Sequence, residues 1–232
     1  MFFIFVLLGI FALSWVVQAR MKAKFQKYSA VTFHGNMTGA QVAARMLHDN
    51  GINDVKIQSV DGKLTDHYNP FDKTVNLSPD VYNGVSVAAA AIAAHECGHA
   101  VQHAKAYLWL DLRSRVIPTV SFASRWTQWI LMAGIFLIWA GPLGILILAI
   151  GVLLFAITTL FTFITLPVEF DASNRALRWL DSSGLVSPQE HYMAKDALSW
   201  AAMTYLVAAL AALANLLYYA SILIRRLQFL RR

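Results

Sequence analysis

The chain has 232 residues, 58% of them hydrophobic and 14% charged, with a formal net charge of +6. Globular domains carry about 25% charged residues, and the apolar residues here are gathered into long runs that only a bilayer can bury, so a soluble protein is excluded. The positive charge does not point to nucleic acid. Arg20, Lys22, Lys24 and Lys27 follow the first apolar run, and Arg225, Arg226, Arg231 and Arg232 follow the last, a placement suited to lipid headgroups.

Residues 1–19 predict an uncleaved N-terminal membrane anchor, since no basic segment precedes the apolar core and no small-residue cleavage site follows it. The charges after it place the next segment in the cytoplasm. Residues 20–115 form the long polar stretch and predict an α+β domain. Thr38 reads as the N-cap of a helix ending near Asn50 and stopped by Gly51, with Val42, Ala43, Met46 and Leu47 as its buried stripe. Residues 55–60 alternate apolar and polar as a half-buried strand. Asp61-Gly62 is a two-residue hairpin signal, so 63–68 is expected to return beside it, with a third strand over 73–77 in a small antiparallel sheet. That third strand reads equally as an ordinary sheet strand or as an edge to which an extended substrate adds. Ser78-Pro79-Asp80 then opens one helix through about 104, Ala-rich in its middle.

Residues 116–166 are expected to form a membrane hairpin with its tip at Gly141-Pro142-Leu143-Gly144. Its second arm is about 36 Å long at about 1.5 Å per residue, enough to cross a bilayer. Arg125 and Gln128 interrupt the first arm. Pro167 opens a polar helix within a 167–195 segment, and 196–232 is a final apolar helix with a basic tail, the fourth membrane segment.

His95-Glu96-Cys97-Gly98-His99 lies on the helix predicted over 79–104. Histidines at i and i+4 share a helical face about 6 Å apart along the axis, so two imidazoles can converge on one ion about 2.0–2.1 Å away. Glu96 is turned about 100° from His95 and can take the proton of a water held by the metal, whose acidity zinc raises. A catalytic zinc needs a third protein ligand. His103 stands about 12 Å along the axis from His95, too far to share an ion. Glu169 is the better candidate, because a hairpin that crosses the bilayer twice returns the chain to the side of His95 and His99. Cys97, the single cysteine, rules out an intrachain disulfide and reads as a small packed residue beside Gly98.

The run 95–103, the later Pro167-Val168-Glu169-Phe170-Asp171-Ala172-Ser173 and the upstream Leu64-Thr65-Asp66-His67-Tyr68-Asn69-Pro70 together resemble the YugP-type neutral zinc metallopeptidases, over nearly the whole chain. The sequence is more distantly similar to the HtpX and Ste24 membrane peptidases, whose third ligand is a glutamate in a Glu-x-x-x-Asp pattern. Ser173 stands here where that aspartate would be, which leaves Asp171 or Ser173 to support the metal site. The resemblance implies a plasma (inner) membrane endopeptidase that binds one Zn2+ per chain and acts on membrane or unfolded polypeptides.

The expected architecture is therefore a mainly α membrane protein: about four membrane helices plus a small α+β, zincin-like domain bearing the motif helix, with gluzincin-like ligands His95, His99 and Glu169. Glu96 is the expected base. His103, Tyr68, His67, Arg175, His191 and Tyr192 are candidates to support the ligands or to stabilise the charge that develops on a carbonyl oxygen. Three other readings fit less well. An intramembrane site-2-type protease calls for an aspartate on a later span, and 126–166 contains none. A structural zinc centre usually has four protein ligands, often thiolates. A transporter calls for ionisable residues inside its spans, and the hairpin has none after Arg125.

Overall fold

The computed structural model describes residues 2–230; Met1, at the start of the expected anchor, and the flanking Arg231 and Arg232 lie outside them. Among the described residues, seven helices and three strands follow in the order α1 (Phe2–Ser29), α2 (Gly39–Asp49), β1 (Lys56–Ser59), β2 (His67–Asn69), β3 (Thr74–Leu77), α3 (Pro79–Tyr82), α4 (Val87–Ala104), α5 (Leu108–Phe136), α6 (Pro142–Ser182) and α7 (Pro188–Leu230). They form two compact units.

One unit comprises the chain up to Trp15, Leu112–Thr165 and the chain from Tyr205 onward. Small residues set the spacing of its helices. A Cβ on Gly134 would lie 2.5 Å from the Leu148 backbone, and one on Gly151 would lie 3.0 Å from Leu131, so α5 and the first half of α6 touch through glycine, as helices in lipid commonly do. Gly141 turns the hairpin with φ +83. Phe155 packs edge-on against Tyr219 of α7.

Among the described residues, three helices rather than four are long and apolar enough to cross a membrane: Phe5–Ser29, Pro142–Ser182 and Pro188–Phe229. The expected fourth, α5, carries Arg125 among Trp126, Thr127, Gln128 and Trp129, which dilutes its hydrophobicity. Two helices are also longer than the sequence suggested. The chain does not restart at Pro167: α6 continues through it, although an interior proline removes one helix hydrogen bond and crowds the preceding turn. Likewise α7 begins at Pro188 and absorbs the polar segment before its apolar run.

The other unit comprises Val16–Asp111 and Leu166–Thr204. Its core joins Val42, Met46 and Leu47 of α2, Val75 and Leu77 of β3, the alanines of α4, and Ala176 and Leu180 of α6. Helix α2 begins at Thr38 as expected, in a reciprocal capping box with Gln41, and the chain leaves it through Gly51 at φ +70.

The sheet has the order β1-β3-β2, with β1 parallel and β2 antiparallel to β3. The expected hairpin at Asp61-Gly62 does not form. Gly62 and Leu64 both adopt positive φ, and Asp66 accepts hydrogen bonds from the Ser78 amide and hydroxyl, so the chain crosses over instead of returning. The hairpin that does form joins β2 to β3, where Asn69 accepts from the Phe71 amide and donates to Asp72. Strand β3 takes the centre because all four of its residues are buried. With partners on both edges it offers no edge to a substrate, which removes that reading of residues 73–77.

Nor does one helix run from 79 to 104. Its first turn, α3, ends at Tyr82. The Phe33 amide pairs with the Val85 carbonyl and the Val87 amide with the Val31 carbonyl, pulling the chain out of helix. Ser86 then caps α4 by accepting from the Ala89 amide.

Candidate metal centre

Helix α4 is held in place by what it buries. Its residues 88–91, 93 and 94 are alanines with almost no exposure, which favour helix and let neighbours approach closely. The Cys97 thiol reaches the Ala43 carbonyl of α2 at 3.6 Å, inside the core; burial pushes its pKa up, so it packs as a neutral thiol. On the opposite contact, a Cβ on Gly98 would meet the Ala172 carbonyl oxygen at 2.5 Å. The missing side chain at Gly98 therefore brings α4 against the polar half of α6.

That approach places His95, His99 and Glu169 together, with one donor atom from each lying within 4.8 Å of the others. Nε2 of His95 is 3.4 Å from Glu169 Oε2, and Nε2 of His99 is 3.7 Å from the same oxygen. Donors each about 2.0–2.1 Å from an ion in tetrahedral arrangement lie roughly 3.3 Å apart. The set has the chemistry of a zinc site, and both histidine–glutamate distances lie near that spacing.

Each histidine is oriented from behind. His95 Nδ1 is 3.1 Å from Ser173 Oγ, one turn beyond Glu169 on α6. His99 Nδ1 is 3.0 Å from Gln102 Oε1. The Gln102 amide nitrogen donates to the Val168 carbonyl and to Asp171 Oδ2, both at 2.8 Å, so its oxygen is the acceptor and His99 Nδ1 carries the proton. This leaves His99 Nε2 with a lone pair directed at Glu169, the arrangement typical of metal-ligating histidines. Asp171 also accepts from Arg175 Nε, and the Arg175 guanidinium sits 5.6 Å from the Tyr107 ring centroid.

Glu96 is buried beside the cluster. Burial pushes its carboxyl up to about 7; His95 and the Tyr68 backbone amide oppose this, while Glu169 and Asp66 add to it. A carboxyl in that range exchanges protons readily near neutral pH. Tyr68 is raised to about 12 by burial and then by Asp54. Its hydroxyl lies 2.7 Å from His103 Nδ1, which accounts for His103 outside the three-residue cluster.

Of the other candidates, Asp171 is joined to His99 through Gln102, and Arg175 to Asp171. His67 is exposed and turns back to the Thr65 carbonyl. His191 lines a separate cavity with Asn174, Arg178, Asp181 and Lys195, and Tyr192 is exposed. Gln102 escaped the sequence reading although it is fully buried. Its signal was its place, three residues after His99 on the motif helix, where a polar side chain shares the histidine's face.

A model of the family described as "Putative neutral zinc metallopeptidase" matches residues 2–224. The chain belongs to this family. It is 41% identical over 222 residues to a Bacillus subtilis (strain 168) protein named "Putative membrane protease YugP", covering 96% of each chain. No solved structure matches. Membership of a zinc peptidase family agrees with a histidine, histidine and glutamate cluster on helices α4 and α6, and the relative's name agrees with three helices able to span a membrane.

Proposed function

We propose that this chain is a membrane-embedded zinc endopeptidase in which His95, His99 and Glu169 hold one zinc ion and Glu96 moves the proton. The observation that carries the reading is the convergence of these three donors within 4.8 Å beside a buried glutamate. The metal, when bound, polarises a peptide carbonyl and acidifies water.

The chain's own residues divide the remaining work. Ser173 and Gln102 orient the two imidazoles, so the ligands need little rearrangement to bind. Glu96 takes a proton from the attacking water and returns it to the departing amine, and its buried carboxyl is suited to both steps. The polar unit around the site excludes bulk water on the side of α2 and β3, where the core is packed. The ligand set is gluzincin-like and the motif helix with its small sheet serves as a zincin-like module. The Lys and Arg residues after the first apolar run support a polar unit facing the cytoplasm from the plasma membrane. Unfolded or membrane-inserted polypeptides are the substrates this placement admits.

Removal and restoration of the metal test this reading. Dialysis of detergent-purified protein against a chelator is expected to abolish cleavage of an unfolded model protein, and stoichiometric zinc is expected to restore it. Cleavage that persists at full rate in metal-free protein would exclude the mechanism.

A further inference from the structure

The turn that ends α4 is strained. Lys105 caps the helix, and Ala106 follows in the left-handed region at φ +48, where glycine is the usual residue. The Ala106 amide bonds the His103 carbonyl and the Tyr107 amide bonds the Gln102 carbonyl, the paired bonds of a Schellman motif. A residue held in a sparsely populated conformation persists where its surroundings require it. What this turn delivers is Tyr107. Its ring centroid lies 5.6 Å from the Arg175 guanidinium, within cation–π range, and its hydroxyl faces the Pro167 carbonyl at 3.5 Å.

Arg175 carries donors only. Its Nε reaches Asp171 Oδ2 at 2.5 Å, and the same oxygen accepts from the Gln102 amide nitrogen at 2.8 Å. The second Gln102 N–H goes to the Val168 carbonyl, and Gln102 Oε1 meets His99 Nδ1. Tyr107 and Gln102 thus touch residues 167, 168 and 171, on both sides of Glu169. That stretch of α6 gains from outside support, because Pro167 has no amide hydrogen to give the helix. The Asp171 side chain is 21% exposed, so water competes for its carboxylate. Arg175 holds that carboxylate toward α4.

We propose that Arg175, held by Tyr107, is a positioning residue of the metal centre. It keeps Asp171 on Gln102, and through Gln102 it keeps His99 in register with Glu169. The proposal rests on the metal reading above, and the experiment separates the two. Zinc affinity would be measured by competition with a chelating dye on detergent-purified wild type, Arg175→Met, Arg175→Lys and Tyr107→Leu. Arg175→Met and Tyr107→Leu would also be made in a Gln102→Leu background, with the unfolding midpoint followed in parallel.

Arg175→Met is expected to lower zinc affinity by about tenfold, the lower end for loss of an orienting partner. Arg175→Lys still donates to Asp171 and is expected to recover most of that loss. Tyr107→Leu is expected to cost about threefold. In the Gln102→Leu background, Arg175→Met and Tyr107→Leu are expected to change affinity by less than about twofold, because the route to His99 is already cut. A general loosening of the unit would instead add to the Gln102→Leu loss. Wild-type affinity in Arg175→Met, or a loss that persists in full beside Gln102→Leu, overturns the positioning role and leaves the metal site standing. A wild type that binds no zinc overturns both. Should Arg175→Met fail to fold, Tyr107→Leu, at a half-buried position, is judged by the same comparison.

Discussion

Gln102 fixes the tautomer of His99. Its amide oxygen accepts from the imidazole Nδ1–H at 3.0 Å, because its amide nitrogen is already committed to Val168 and Asp171 across the contact with α6. One buried side chain thus decides which ring nitrogen faces Glu169 and also ties α4 to α6.

Replacing Gln102 with leucine should therefore weaken metal binding without removing a ligand. Loss of an orienting hydrogen bond behind a metal ligand costs about 10–100-fold in affinity, and the His99 and Asp171 groups left without it cost roughly 1–3 kcal/mol of stability. Competition with a chelating dye would measure the first and chemical unfolding the second. Unchanged zinc affinity in Gln102→Leu would remove the residue from this role.

Ser173 makes the corresponding contact to His95 at 3.1 Å. Ser173→Ala is expected to lower zinc affinity by about tenfold or more, and Ser173→Asp to retain or tighten it, since a carboxylate raises the basicity of the imidazole it holds. The same dye competition reads both variants. Equal affinity in all three proteins would show that His95 needs no support from α6.

A third consequence concerns Gly98. An added methyl would meet the Ala172 carbonyl at 2.5 Å, and backbone cannot yield as a flexible side chain can. Gly98→Ala should cost about 1–3 kcal/mol through overpacking and should part the two histidines from Glu169. A fall in both the unfolding midpoint and zinc affinity is expected. Wild-type values for both would mean that α4 and α6 do not need this close contact.

Thr38 offers a contrasting control. It caps α2 in a reciprocal pair with Gln41, away from the cluster. Thr38→Ala is expected to cost about 1 kcal/mol and to leave zinc affinity untouched. Impaired zinc binding in this variant would show that general destabilisation alone loosens the site, and would weaken the case drawn from Gln102 and Gly98.

The local signals in the sequence read well where one segment decides the outcome. Thr38 and Gly51 bound α2, and the 42, 43, 46, 47 stripe is its buried face. The sequence put Glu169 forward because a hairpin crossing the bilayer twice would permit it to meet His95 and His99; the three do lie together, although among the described residues only the hairpin's second arm is long and apolar enough to cross. What failed was set by tertiary competition. Asp61-Gly62 carries a hairpin signal, but the buried Val75 and Leu77 draw β3 to the centre of the sheet and Asp66 is taken by Ser78. The break between α3 and α4 depends on pairing with residues 31–33, far away in the chain. Sequence marks Gln102 only as a polar neighbour of His99 on one helical face; its bonds to Val168 and Asp171, more than sixty positions on, are tertiary.

The central claim, that His95, His99 and Glu169 hold zinc for a reaction in which Glu96 carries the proton, is tested most directly by one paired measurement. Zinc content and cleavage of an unfolded protein would be determined on detergent-purified wild type and Glu96→Gln. About one zinc per chain in both, with cleavage by the wild type alone, is the predicted result. Cleavage by Glu96→Gln at the wild-type rate, or a wild type that binds no zinc, would contradict the account.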